Sequence, residues 1–154
     1  LLRPLGVQDS ADLFAIYGDP EVMRFVGEQP FPELATVSQM LASVERLLAV
    51  GESLEWGLVL RESGHLIGTC GLHSFVADPV QAGLPQAEVG CMLARSHWGQ
   101  GLMFEALSAV TGYAGELGIR TLLADIEPDN LPSQRLFRRL DFVWQQGTLY
   151  RLER

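Results

Sequence analysis

The sequence predicts an α/β sandwich on a mixed sheet, and three observations predict it. Apolar residues recur at helical spacing through the first third, and strand-like runs follow in the middle. The last third alternates strand and helix before a closing hairpin. Hairpins make antiparallel neighbours and a helical crossover makes parallel ones, so the sheet is mixed.

Leu1–Leu5 is a short opening strand. Asp9 is placed to cap a helix running to about Tyr17, with Ala11, Leu13, Phe14 and Ile16 among its apolar positions. Asp19-Pro20-Glu21 reads as a second helix start, with proline at the first helical position, where its missing N–H costs nothing. Thr36 is the expected cap of a third helix carrying Val37, Met40, Leu41, Val44, Leu47 and Leu48, which Gly51 closes. Leu54–Arg61 and Leu66–Ser74 are strands joined through Glu62-Ser63-Gly64-His65, a hairpin signal. Phe75–Gln86, with two prolines and a glycine, reads as a loop, and Ala87–Leu93 as the next strand. A helix from about Gly101 to Leu117 carries Met103, Ala106, Leu107, Val110, Tyr113, Ala114 and Leu117 on one side, and Gly118 ends it. Thr121–Ile126 is a strand, Asn130–Leu140 a helix, and Phe142–Gln146 with Leu149–Leu152 the terminal hairpin.

The 154 residues suit one domain, residues 1–154. The chain opens on Leu1 instead of methionine, so the natural N-terminus is expected further upstream. No apolar stretch approaches the ~20 residues that span a bilayer, so no membrane association is expected. A net charge of −8 without a basic stripe argues against nucleic acid as a partner. It is compatible with a cationic small molecule or a basic peptide, which an acidic body attracts. Cys70 and Cys91 fall in strand-like runs without metal-ligand spacing, so they read as buried thiols and no metal is expected. The expected compartment is reducing, hence cytoplasmic.

The densest stretch is Glu88-Val-Gly-Cys-Met-Leu-Ala-Arg-Ser-His-Trp-Gly-Gln-Gly-Leu-Met-Phe104: a buried strand, a polar loop, a glycine-spaced turn and a helix start. A helix N-terminus offers unpaired N–H groups and the positive end of a dipole, which suits a phosphate-bearing cofactor. The common phosphate motifs are absent. There is no GxxxxGK[ST], and Gly99-Gln100-Gly101 lacks the third glycine of GxGxxG. GxSxG and HExxH are missing as well.

Six ordered segments resemble the Gcn5-related N-acetyltransferase (GNAT) family, in its branch of ribosomal-protein N-terminal acetyltransferases. Leu2-Arg3-Pro4-Leu5 is similar to the opening strand, and Asp19–Phe25 to the early helix. Ile67–Leu72 and Ala87–Gly90 are similar to the third and fourth strands. Trp98-Gly99-Gln100-Gly101-Leu102-Met103 resembles the acetyl-CoA pyrophosphate loop, with Glu105-Ala106-Leu107 in the helix behind it. Asn130-Leu131-Pro132-Ser133 resembles the branch's Asn-x-x-Ser, and Asp141-Phe142 stands where Gly-Phe is usual.

The resemblance implies a mostly antiparallel mixed sheet whose fourth and fifth strands splay apart, flanked by helices. It implies acetyl-CoA as acetyl donor, its pantetheine arm in the gap against the backbone of Cys91, Met92 and Leu93. Backbone N–H groups of Gly99, Gln100, Gly101, Leu102 and Met103 would cradle the pyrophosphate, with Trp98 before them. Asn130 would contact the pantetheine, and Ser133 would lie near the sulfur.

Trp98 is what the branch favours, and Met103 stands where Gly or Ala is usual and could crowd the phosphate turn. Asp141 must serve a left-handed cap in place of glycine. Phe137 occupies the place of a tyrosine acid that many members have, which leaves Ser133 to protonate or stabilise the thiolate.

A primary amine must lose a proton before it attacks a thioester, so a base is needed and an enzyme nucleophile is not. Glu88, a carboxylate inside an apolar strand, is the first candidate, acting directly or through water. Pairing with a neighbouring base is its structural alternative. His73 at a strand end is the second candidate. A backbone N–H near Met92 would stabilise the oxyanion. His97 reads as a loop residue or a helper at the phosphate, and Arg135, Arg138 and Arg139 as a solvated face from which one could meet a CoA phosphate. Trp56, Trp98 and Trp144 read as core or rim aromatics.

The expected activity is acetyl transfer from acetyl-CoA to a primary amine, either a protein N-terminus or a small amine. A non-catalytic acyl-CoA sensor and a purely structural dimerisation domain are the alternatives. The branch often forms homodimers.

Overall fold

The structure is a computed structural model and describes residues 1–78, 80 and 85–154. Its strands are β1 (Leu2–Pro4), β2 (Ser53–Val59), β3 (Leu66–Ala77), β4 (Pro85–Leu93), β5 (Thr121–Asp125), β6 (Val143–Gln146) and β7 (Leu149–Glu153). Its helices are α1 (Ser10–Tyr17), α2 (Leu34–Ala49), α3 (Leu102–Glu116) and α4 (Leu131–Arg139). The strands form one sheet in the order β1-β2-β3-β4-β5-β7-β6, antiparallel throughout except for β4 against β5. This is the mixed, mostly antiparallel sheet that the sequence predicts.

Alternation along the strands separates two cores. Leu58, Cys70, Leu72 and Val89 point to one face and pack with Leu107 and Val110 of α3 and Phe137 of α4. On the other face Val59 and Leu66 meet Leu13 and Ile16 of α1 and Val37 of α2.

Four local expectations need correction. Asp19-Pro20-Glu21 starts no helix: Asp19 Oδ1 accepts from the Glu21 N–H at 3.0 Å, and Met23 N bonds Asp19 O at 3.1 Å in a single turn. An Asp side chain that satisfies its own turn competes with helix, and one isolated turn does not propagate. Asp9 precedes α1 but makes no side-chain cap. α2 begins at Leu34, after an extended Glu33, so Thr36 lies inside the helix and is not its cap. The expected loop Phe75–Gln86 is largely strand at its ends, where Val76 pairs with Gln86 and Ala77 with Pro85 beyond a bulge. Proline is tolerated there as a first strand residue. Residues 79 and 81–84 of that loop lie outside the described residues.

Asp9 is 2% exposed and accepts two hydrogen bonds from Arg3, at 2.7 and 2.9 Å, and one from the Gly6 N–H at 2.9 Å. The Arg3 bonds hold its carboxyl below the ordinary aspartate range, against a smaller opposing effect of burial. A depressed carboxyl stabilises the fold above its unfolded pKa near 3.9 and loses that contribution as the pH falls through the folded value. Arg3→Met is expected to cost about 1.5–3 kcal/mol at pH 7. Urea melts should show the gap from wild type narrowing below pH 4, and a gap constant in pH would refute the linkage.

β4 and β5 share only three pairs, Gln86–Glu88 with Thr121–Leu123. Beyond them Ala124 and Asp125 pair with β7 alone, so from Val89 onward β4 has a strand on one side only. The expected splay is therefore present. The closed end is clamped: Arg151 of β7 reaches Asp78 at 2.6 Å, and the Thr121 hydroxyl of β5 donates to the same carboxylate.

Candidate active site

The open end of the β4–β5 gap meets the glycine turn. Gly99 has φ +74° and Gly101, the N-cap of α3, has φ +76°. An added Cβ would touch nothing within 4 Å at either position. Glycine is required there by the left-handed backbone instead of by crowding. The turn leaves the first N–H groups of α3, from Leu102 and Met103 onward, without helical acceptors. The Met103 side chain is 6% exposed and lies in the core, so it does not crowd the turn. Trp98 sits on the rim, and its indole N–H donates to Leu93 O at 2.8 Å, bracing the loop on the end of β4. The His97 side chain is half-buried and its Nδ1 contacts the neighbouring Ser96 hydroxyl at 2.9 Å.

Backbone direction along β4 follows from the ladder. Ala94 N bonds Ile67 O at 2.7 Å, which makes Thr69–Met92 a hydrogen-bonded pair and Cys70–Cys91 and Gly68–Leu93 open pairs. The Met92 N–H thus points at β3, while the backbone groups of Cys91 and Leu93 point into the gap. Trp98 uses the Leu93 carbonyl. The Cys91 N–H and C=O and the Leu93 N–H are what the gap presents to a bound chain.

On the α1/α2 face, the two candidate bases stand together. His73 and Glu88 are register partners, with Nδ1 and Oε2 3.7 Å apart and both side chains partly exposed (42% and 44%). Ser74 follows His73 at φ +56°, inside the bulge that interrupts the β3–β4 register, and its hydroxyl contacts His73 Nδ1 at 3.0 Å. A strained residue in a bulge re-aims its neighbours, here the imidazole beside Glu88.

The same face holds groups that the sequence reading missed. Glu55 of β2 is half-buried, and burial pushes its carboxyl up to about 7, with the Thr69 hydroxyl pulling it back. The Tyr17 hydroxyl lies 2.7 Å from Thr69 Oγ1, and the Tyr17 ring stacks on Phe31 at 5.0 Å. Burial, then the Glu55 charge, raises the Tyr17 phenol above its ordinary range. The available signal was an acid in the strand Leu54-Glu55-Trp56-Gly57-Leu58, the same oddity that singled out Glu88.

Asn130 caps α4, its Oδ1 accepting from Ser133 N at 3.3 Å. The Ser133 hydroxyl has no hydrogen-bond partner among the described residues. Phe137 is buried edge-to-face against Phe142, at 5.1 Å, and Asp141 takes the left-handed cap with φ +70°. Arg139 stacks over Phe104 at 4.1 Å and Arg138 lies 6.0 Å from the Tyr150 ring; the Arg135 side chain is exposed. Trp56 packs edge-on against Tyr113, whereas Trp144 is exposed. Burial pushes the Cys70 and Cys91 thiols up to about 12, so neither is a thiolate nucleophile at neutral pH. Among the described residues no cluster of three metal-ligating side chains exists.

A split parallel pair ending on a glycine turn at a helix N-terminus is the architecture of an acyl-CoA-dependent transferase. Residues 1–143 match the acetyltransferase (GNAT) domain family, and the chain belongs to it. It is thus an acyltransferase of the GNAT type. It is similar to the uncharacterized N-acetyltransferase p20 of Bacillus licheniformis, 29% identical over 142 residues, covering 92% of this chain and 77% of that protein. In fold it is similar to Mycobacterium smegmatis RimJ in complex with CoA-disulfide, with TM-score 0.84 and 16% identity over 99% of this chain and 80% of that one. Spermidine N-acetyltransferase of Vibrio cholerae, in complex with CoA and spermine, has TM-score 0.77 and 15% identity over 98% and 92% of the two chains.

Proposed function

We propose that this chain, as a single domain, moves the acetyl group of acetyl-CoA to a primary amine, a protein N-terminus or a small amine, by direct attack on the thioester. The observation that carries this reading is the gap between β4 and β5. It presents unpaired backbone groups of Cys91 and Leu93, opens onto the glycine turn, and has the Glu88–His73 pair on the adjoining face.

The pyrophosphate fits the turn, where the N–H groups of Gly99 to Met103 and the α3 dipole meet its charge. Cys91, Met92 and Leu93 line the pantetheine arm, Cys91 and Leu93 through their backbone groups, and Trp98 walls the entrance. Asn130 at the α4 cap borders the same arm. The amine gives a proton to Glu88, directly or through water, and its nitrogen forms a bond to the carbonyl carbon. The Cys91 N–H faces the gap and takes the oxyanion role; the Met92 N–H is committed to Thr69. Collapse breaks the C–S bond and the nitrogen sheds its second proton. The departing thiolate accepts a hydrogen bond from the Ser133 hydroxyl and takes up one proton from solvent in exchange, leaving as the CoA thiol.

The free, protonated thiols Cys70 and Cys91 fit a reducing cytoplasmic setting, and no described helix is long and apolar enough to cross a membrane. Calorimetry with acetyl-CoA and with desulfo-CoA tests the donor site. Saturable binding of both is expected, and its absence in folded protein free of co-purified CoA would end this reading. Binding without thiol release on any amine would instead favour a sensor, a reading to which the buried Phe137 lends weight because α4 offers no phenol.

A further inference from the structure

We propose that Glu55 receives the acceptor's ammonium group, seated over the Gly71–Gly90 pair beside Tyr17 and Phe31, and so selects cationic amines. The inference rests on the acetyltransferase reading and names which residue holds the acceptor.

Gly71 and Gly90 are register partners on the α1/α2 face. A Cβ at Gly71 would collide with Glu55 Oε2, whereas one at Gly90 would meet only the His73 ring, at 3.5 Å. Cβ positions of such partners lie about 4.5–5.5 Å apart. The Glu55 carboxylate and the His73 imidazole therefore flank a patch to which neither glycine contributes a side chain. The patch borders Cys91 on the strand that lines the gap, so a nitrogen there lies next to the thioester.

Glu55 has no cationic partner among the described residues, and its strongest polar contact is Thr69. A half-buried carboxylate without a counter-ion gains most when a cation arrives. The stacked Tyr17 and Phe31 rings add a surface that favours cations. The titratable groups around Glu55 are Tyr17, Cys91 and Cys70, with Glu28 near Tyr17, and His73 and Glu88 across the glycine patch. The phenol and both thiols stay neutral at pH 7. Below pH 7 Glu55 takes up a proton and loses its hold on the ammonium, so kcat/KM falls on the acid side.

The test measures acetylation of putrescine, ethanolamine and an alanine-initiated peptide from pH 5.5 to 9 by wild type, Glu55→Gln and Gly90→Ala. Glu55→Gln is expected to raise the acceptor KM about ten- to a hundredfold at pH 8. It should change kcat less, abolish the acid limb near pH 7, and leave acetyl-CoA affinity within about twofold. Gly90→Ala adds a methyl to the patch at ordinary contact distance, so it should fold normally and also raise the acceptor KM. Glu55→Gln should melt higher than wild type at pH 8 and not at pH 5, because a raised carboxyl destabilises the fold above its pKa. An unchanged acceptor KM with a persistent acid limb overturns the proposal. So does failure to acetylate any panel amine by protein that binds acetyl-CoA. Failure of wild type to bind acetyl-CoA overturns the acetyltransferase reading instead.

Discussion

Glu88→Gln is expected to lower kcat by about 10²–10⁴-fold while leaving acetyl-CoA affinity unchanged. Glutamine keeps the shape and the contact to His73 but cannot take a proton. Glu88 stands on β4 beyond the patch, in register with His73, where both side chains reach solvent that can carry the proton away. As an ion pair between partly exposed groups it contributes little to stability, roughly 0–1 kcal/mol. The variant should therefore melt close to wild type. A kcat within twofold of wild type would remove Glu88 from the mechanism. A large loss of stability would return it to a structural role. Together with Glu55→Gln this makes a split: loss of kcat at one carboxylate, and of acceptor KM at the other.

Asp78→Ala is expected to destabilise the protein by about 3–5 kcal/mol, the range for breaking one side of a buried ion pair. Asp78 is fully buried at the end of β3, and the Arg151 side chain is 11% exposed. Removing the carboxylate takes one acceptor from the Arg151 guanidinium, which keeps Glu153 at 2.7 Å and the Thr121 hydroxyl at 3.3 Å, and one acceptor from the Thr121 hydroxyl. The location magnifies the cost. Only three pairs hold β4 to β5, and this cluster ties the closed end of that seam through β3, β5 and β7. Chemical denaturation of Asp78→Ala and Asp78→Asn measures it; a loss under 1 kcal/mol for both would show that the seam does not depend on the pair. A sheet meant to stay open at one end needs a firm closure at the other.

The strands and long helices were legible because period-two and period-3.6 patterns are local, and α3, β5, α4 and the terminal hairpin fall within a few residues of expectation. The early segment was less legible. Asp9 and Asp19 both look like helix caps, yet their carboxylates are drawn to Arg3 and Arg95, partners that no local pattern reveals. The glycine turn and the strand before it were readable as a family resemblance, since both lie in one continuous run. Glu55, Thr69 and Tyr17 were not, because they come from three elements that meet only on the folded face.

The order of the strands and long helices, the glycine turn at Gly99 and Gly101 and the membership in the acetyltransferase family are carried by the sequence itself. Each depends on spacing along the chain or on the backbone freedom of single residues. Tertiary structure alone decided that His73 and Glu88 are neighbours and that the Met92 N–H is spent on β3. It alone placed the Glu55 carboxylate over a paired-glycine floor and put Asp78 against Arg151. Those outcomes depend on strand register and on burial, and both are settled only when segments distant in the chain compete for the same space and the same hydrogen bonds.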